Sequence, residues 1–192
     1  VKLSALYSQI KSEDAEHCID VLAERLGEIL SAAKKVNAFV YVDMEDTSLT
    51  SITIGAYKKI LETPEFKDYS QTGIVLQAYL RRTEADIEDL IAWARKRGTR
   101  FAVRLVKGAY WDTETILARL AGWPIPVWQL KESSDAHYEK LSLLLLKNHD
   151  IVLPAFASHN IRSLCHAIKA AEMMDIPSTE FELQTLYGMG EQ

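Results

Sequence analysis

The sequence predicts an α/β fold: a (β/α)8 TIM-like barrel of which about six strands are present, with the first and last strand–helix units missing. Three observations carry that prediction. Stretches with strand-like alternation recur six times, separated by amphipathic helical stretches, which is the pattern of a parallel sheet with helical crossovers. In each strand one parity class is bulky and apolar while the other is mixed, whereas an open sheet covered by helices on both faces would read apolar on both. The polar members of the mixed class also gather near the C-terminal strand ends, where a barrel keeps its functional groups.

The first strand is expected over Val1–Leu6, where Val1, Leu3 and Ala5 oppose Lys2 and Ser4. A helix over Glu13–Lys35 leads to a strand over Asn37–Asp43, in which Val40 and Val42 oppose Tyr41 and Asp43. Another helix, Thr47–Leu61, precedes the strand Gly73–Tyr79, where Ile74, Leu76 and Ala78 oppose Gly73, Val75 and Gln77. The helix Thr83–Arg97 has a start signal in Thr83-Glu84-Ala85-Asp86 and a stop at Gly98. The strand Arg100–Lys107 turns Phe101, Val103 and Leu105 one way and Ala102, Arg104 and Val106 the other. The helix Asp112–Leu120 is followed by the longest irregular insertion, Gly122–Ser133, which carries Pro124 and Pro126. In the helix Ser134–Asn148 the run Leu141–Leu146 reads as a buried face. A strand over Ile151–Phe156 and a helix over Ile161–Met174 follow, with Met173 and Met174 read as core packing. Pro177 separates that helix from the strand Glu180–Leu186, in which Phe181 and Leu183 oppose Glu182, Gln184 and Leu186. No linker or shift of composition interrupts residues 1–192, so they read as one domain. Because Val1 opens on a strand and another strand lies just before Gln192, the chain is expected to be part of a longer polypeptide.

With 192 residues, 48% of them hydrophobic, and a mean hydropathy of −0.08, the chain reads as globular. The net charge of −5 is spread without a basic stripe, which argues against nucleic acid as a partner. Cys18 and Cys165 match no metal or redox spacing and read as small buried thiols in helices, consistent with a reducing compartment. No apolar run approaches the ~18 residues of a membrane span.

Chemistry concentrates at the strand ends. Arg104 sits inside an apolar strand, and a buried cation costs several kcal/mol unless an anion or strong acceptor meets it (roughly, from). Around it the parity analysis collects Lys2, Asp43, Gln77, Lys107, Tyr110, Trp111, His159, Asn160 and Gln184 on one rim. Cations, amides, aromatics and a carboxylate together suit a large, flat, partly anionic ligand, and a flavin fits: donors stabilise charge on the ring, and an indole can stack on it. Among the histidines only His159 falls at a strand end, and no metal triad, GxGxxG, Walker loop or G-x-S-x-G is present. Asp43, Glu45 and Asp46 could form a carboxylate pair, but Glu45 and Asp46 follow the strand and read more simply as the start of the next helix.

Several segments resemble the proline dehydrogenase domain, most closely that of bacterial bifunctional proline utilization A proteins. They are VKLSAL at Val1–Leu6, Asp43-Met44-Glu45, QAY at Gln77–Tyr79, RLVKGAYWD at Arg104–Asp112, FASHN at Phe156–Asn160 and FELQTLYGMGE at Phe181–Glu191. They stand in family order over essentially the whole chain. The resemblance implies a distorted (β/α)8 barrel that holds FAD and oxidises L-proline to Δ1-pyrroline-5-carboxylate by hydride transfer from proline C5 to flavin N5, the first step of proline catabolism. It places Arg104 by the flavin N5 and Gln77 by the pyrimidine edge, with Lys107, Gly108, Trp111, His159, Asn160 and Gln184 also holding the cofactor. Asp43, Met44, Val75, Val106, Ala109 and Thr185 complete the cofactor's surroundings. Lys2 is implied to meet the proline carboxylate, with Asp43, Ala109, Tyr110 and Leu186 bordering the substrate, so that Arg104, Lys2 and Asp43 are the catalytic set.

The resemblance further implies a membrane quinone as electron acceptor, a pyrroline-5-carboxylate dehydrogenase domain on the same full-length polypeptide, and a cytoplasmic protein in transient contact with the inner membrane. The chain departs from the family pattern at both ends, which lack the first strand with its glutamate and the eighth strand and helix with their tyrosine and paired arginines. It departs again at Val127–Ser134, where Leu130 and Glu132 replace residues expected near the FAD adenosine, leaving Lys131 for that role. Two other readings compete. One is a barrel fragment that folds without turning over; the other is an aldolase-type barrel using Lys2 or Lys107 as a Schiff-base amine.

Overall fold

In the computed structural model residues 1–189 are described; Gly190 and Glu191 of the last motif, and Gln192, lie outside the described residues. Five strands form one parallel sheet in sequential order: β1 (Val40–Val42), β2 (Thr72–Gln77), β3 (Phe101–Val106), β4 (Val152–Ala157) and β5 (Glu182–Gln184). The helices between and before them are α1 (Ala15–Lys35), α2 (Thr50–Leu61), α3 (Thr83–Arg97), α4 (Trp111–Ala121), α5 (Lys131–Leu146) and α6 (Ile161–Met173). The sheet is the curved wall of a partial barrel, as the alternation and the parity asymmetry predict.

The first two helices are each held by one apolar face. Cys18, Leu22, Leu26, Leu30 and Ala33 of α1 are buried at three- and four-residue spacing, and α2 presents Ile52, Ala56, Tyr57, Ile60 and Leu61. Between α2, α3 and β3 lies an aromatic knot in which the rings of Tyr57 and Trp93 are 6.1 Å apart and those of Trp93 and Phe101 5.8 Å. Burial of each such ring contributes about 1.5–3 kcal/mol. Burial also pushes the Tyr57 and Tyr138 phenols well above their usual range, so both remain neutral. In α3 the start at Thr83 and the left-handed Gly98 at its end match the sequence signals.

The expected first strand is not one. Only Lys2 pairs, in a single parallel bridge with Asp43, and Leu3–Ala5 is a 3-10 turn. Glu45 explains the turn, because its carboxylate accepts from the Ser4 backbone N–H at 3.0 Å and from the Ser4 hydroxyl at 2.5 Å. Of the remaining strands β1, β2, β3 and β5 are shorter than their patterns suggest, while β4 keeps its expected length one residue further on. Asn37 adopts a left-handed φ of 52° that ends the α1 cap before β1 begins, and Ser178–Glu180 is another 3-10 turn. Two further expectations are corrected: Cys165 is exposed, and Met173 is 78% exposed while Met174 packs on the core. Both exposed residues lie on the outer side of α6, where helical spacing alone did not fix which face turns inward. Asp46 accepts from the Ser48 N–H at 3.0 Å, so it starts a helix, and Glu45 is spent on Ser4; neither is half of a catalytic pair.

The irregular insertion before α5 is tied down. Leu80 and Val127 form an antiparallel bridge, the Arg81 N–H donates to the Pro126 carbonyl at 2.9 Å and the Trp128 N–H to the Tyr79 carbonyl at 2.8 Å. Tyr79, Leu80 and Val127 bury a small satellite core there.

Candidate active site

Arg104 projects from β3 on the face shared with Ala102 and Val106, and it finds the acceptors that a half-buried cation requires. Its Nε–H donates to Gln184 Oε1 at 2.7 Å, and an NH1 proton reaches Asp43 Oδ1 at 3.3 Å. Gln184 Nε2 donates to Glu182 at 2.7 Å, which turns its amide oxygen toward the guanidinium. The third neighbour is the ring of Tyr41, whose centroid lies 4.0 Å from the guanidinium carbon. Parallel register brings these groups together, since β3 residue 104 pairs with Val75 on one side and Ala155 on the other, and Ala155 pairs with Glu182.

The turn after β3 is the second organising feature. Lys107 forms an ion pair with Asp135 of α5, and Lys131 meets the other carboxylate oxygen at 2.6 Å. Burial would push the Asp135 carboxyl up, but the hydrogen bonds and charges of the two lysines outweigh it and hold it below the usual carboxylate range. Gly108 has a φ of 132°, and a Cβ there would sit 2.4 Å from the Tyr79 ring, so this close approach requires glycine. Tyr110 Oη accepts from Lys2 Nζ at 3.2 Å; that hydrogen bond raises the Lys2 pKa and keeps the amine charged. Trp111 opens α4 with its indole N–H donating to the Trp128 carbonyl at 2.8 Å.

Gln77 closes β2 and is almost wholly buried, yet its Oε1 has no hydrogen-bond partner among the described residues. An orphaned buried amide oxygen beside a cleft points to a donor outside the chain. At the end of β4, Asn160 caps α6 through its Oδ1, accepting from the Ser163 N–H at 3.2 Å, which leaves its amide nitrogen for other partners. His159 Nε2 accepts from the Leu186 N–H at 3.2 Å, fixing the neighbouring loops to each other.

These groups surround a cleft of about 740 Å³ lined by Lys2, Asp43, Met44, Val75, Gln77, Val106, Lys107, Gly108, Ala109, Tyr110, Lys131, His159, Asn160 and Leu186. Two hollows share walls with it. One of about 410 Å³ is bordered by Arg104, Gln184 and Thr185, and one of about 430 Å³ by Tyr79, Trp111, Gln129, Lys131 and Asp135. Every residue that the family resemblance assigns to cofactor or substrate therefore lines one of three adjoining spaces. Sequence reasoning missed Asp135, Tyr41 and Glu182, which touch Lys107, Arg104 and Gln184. For Tyr41 and Glu182 the parity pattern was available, since both share a face with a chosen residue two positions on; for Asp135 nothing in an exposed-looking helix start marked it.

Known proteins are similar to this chain over its whole length. The proline dehydrogenase family model matches residues 1–192. The bifunctional protein PutA of Escherichia coli is 31% identical over 192 residues, covering 100% of this chain and 14% of that protein. Proline dehydrogenase 2 of Bacillus subtilis is 32% identical over 174 residues, covering 91% of this chain and 50% of that protein. The crystal structure of proline utilization A from Bdellovibrio bacteriovorus inactivated by N-propargylglycine superposes with a TM-score of 0.97 at 46% identity, covering 100% of this chain and 20% of that one. The chain thus spans about half the length of one curated relative and about a seventh of the other. Matched to that family model over its whole length and superposing on proline utilization A with a TM-score of 0.97, the chain belongs to the proline dehydrogenase family.

Proposed function

We propose that this chain supplies the flavin-facing wall of an enzyme that oxidises L-proline to Δ1-pyrroline-5-carboxylate with FAD. The observation that carries the reading is the grouping, along two adjoining hollows, of the Arg104 cluster, the unpartnered Oε1 of buried Gln77 and the charged Lys2. The residues fit FAD by their chemistry. Gln77 offers an amide oxygen without a partner, and Lys107, Lys131 and Asn160 offer donors to the anionic part of a dinucleotide. Lys107, Gly108, Trp111, His159, Asn160, Gln184 and Thr185 would hold the cofactor, with Met44, Val75, Val106 and Ala109 as apolar walls.

When bound, FAD supplies the hydride acceptor. The chain's own part is orientation and electrostatics. Lys2, whose charged form the Tyr110 hydrogen bond favours, binds the substrate carboxylate. Asp43, Ala109, Tyr110 and Leu186 bound the space in which the ring sits, and Arg104 holds a permanent positive charge where electron density would accumulate. Electrons then pass to a membrane quinone, during transient contact of a cytoplasmic protein with the inner membrane, and a pyrroline-5-carboxylate dehydrogenase domain on the same polypeptide takes the product. Among the described residues no helix is long and apolar enough to cross a membrane.

A Schiff-base mechanism needs a neutral amine. Lys2 is shifted the wrong way for it, and Lys107 is ion-paired. The deciding experiment is an absorbance spectrum of the purified protein before and after anaerobic addition of L-proline. A flavin spectrum bleached by proline, and inactivation by N-propargylglycine, are the expected results. A colourless protein, or one in which borohydride traps the substrate on lysine, would overturn the reading.

A further inference from the structure

Tyr41 was not among the residues that sequence chemistry selected, yet its ring is the closest aromatic face to any cation in the described chain, 4.0 Å from the Arg104 guanidinium carbon, against 4.4 Å for Arg81 over Trp128. The register explains how it gets there. Tyr41 of β1 pairs with Gly73 of β2, and Gly73 pairs with Ala102 of β3, two residues before Arg104 on the same face. The ring crosses the bare backbone of Gly73 to reach β3. A Cβ at residue 73 would lie 2.5 Å from Tyr41 Cε1 and 2.8 Å from the Ala102 carbonyl oxygen.

We propose that Tyr41 is a positioning residue: its ring, admitted across strand β2 by Gly73, seats the Arg104 guanidinium so that Gln184 and Asp43 fix it toward the cleft. The phenol acts through its π face rather than as an anion. Its buried Oη lies near the Gln184 amide without reaching hydrogen-bond geometry, and burial pushes its pKa up to about 12. A ring face within about 6 Å attracts a guanidinium, more strongly where water is excluded. The Asp43 contact, at 3.3 Å, is long for a charged pair, and Gln184 is neutral, so two side-chain acceptors leave the guanidinium under-determined without a floor. This inference rests on the proposal that Arg104 faces the cofactor.

The test compares Tyr41→Phe, which keeps the face and removes the hydroxyl, with Tyr41→Met, which fills similar volume without a face; Tyr41→Leu replaces the latter should it fail to fold. Crystal structures of the flavin-free proteins are expected to show Arg104 in place in Tyr41→Phe and detached from Gln184 in the ring-free variant. In the flavin-loaded enzyme the ring-free variant is expected to make two-electron reduction of the flavin three- to tenfold less favourable, up to about 30 mV more negative, with Tyr41→Phe unchanged. An unmoved guanidinium in the ring-free variant, or equal shifts in both variants, would overturn the proposal. Arg104→Met is the reference: if it leaves the potential unchanged, the assignment of Arg104 to the cofactor is what fails, and the crystal structures still decide whether Tyr41 seats it.

Discussion

At the scale of single residues the site is a set of charges that have been given partners in advance. Arg104 keeps its place through Gln184, Asp43 and Tyr41, so its replacement removes a fixed positive charge without opening a core cavity. Arg104→Met is expected to leave the folded structure intact and to make the flavin reduction potential about 30–60 mV more negative, the equivalent of one charged hydrogen bond; spectroelectrochemistry on the purified enzyme measures it, and a potential equal to or above the wild type contradicts the assignment. Lys2 tests the substrate side. Lys2→Ala is expected to weaken binding of proline and of carboxylate-bearing inhibitors roughly ten- to a hundredfold while flavin content stays normal. An analogue of proline lacking its carboxylate separates the roles: its already poor binding should scarcely change, and equal losses for both ligands would take Lys2 away from the carboxylate.

The elements show which parts of this arrangement were legible beforehand. α3 was read to the residue because Thr83 and Gly98 are local signals that act before any tertiary contact forms. The stretch Val1–Leu6 was misread because its alternation is real, yet a carboxylate 41 residues away bends it into a turn after a single paired residue. The site followed the same division. Residues on strand faces were found by parity, while Asp135, on the second turn of α5, was found only once the fold set it against Lys107. That pairing gives α5 a pH dependence. The folded-state pKa of Asp135 lies below its unfolded value of roughly 3.9, so its contribution to stability is present above that value and is lost as pH falls through the folded pKa. Asp135→Asn should therefore lower Tm at pH 7, and the gap from wild type should close progressively below about pH 4. A gap that persists undiminished in acid would mean that the asparagine disturbs packing rather than charge.

For the molecule as a whole, the governing fact is a curved parallel sheet whose last strand has a partner on one side only among the described residues. β5 pairs with β4, and Leu183 beside its free edge is 45% exposed. Unpaired parallel edges recruit other chains. The 192-residue chain prepared by itself is expected to self-associate with increasing concentration, and Leu183→Lys is expected to suppress this. Sedimentation velocity over a tenfold range of concentration, a range wide enough to reveal mass action, distinguishes this from a monomer; a concentration-independent monomer would show that the edge is protected in some other way. Curvature and strand order followed from the sequence because alternation and crossovers are periodic. The depth of the cleft did not, because it depends on how far the turns after β3 and β4 fold back over the strand ends.

The segment between α4 and α5 has a consequence for evolution and for engineering. Its two halves differ in kind. Trp123 is 70% exposed, whereas Pro126, Val127 and Trp128 are laced to Tyr79, Leu80 and Arg81 and carry the acceptor for Trp111. Extra residues inserted after Gly122 lengthen a solvent-facing span at little entropic cost, while a single residue added between Val127 and Trp128 slips the lacing and withdraws a wall from the cleft. A library of one-residue insertions scanned from Gly122 to Gln129 and sorted for flavin fluorescence quenching should divide sharply at Pro126. Such a boundary would locate the point in this protein at which a loop open to length drift becomes one that heredity must copy without change.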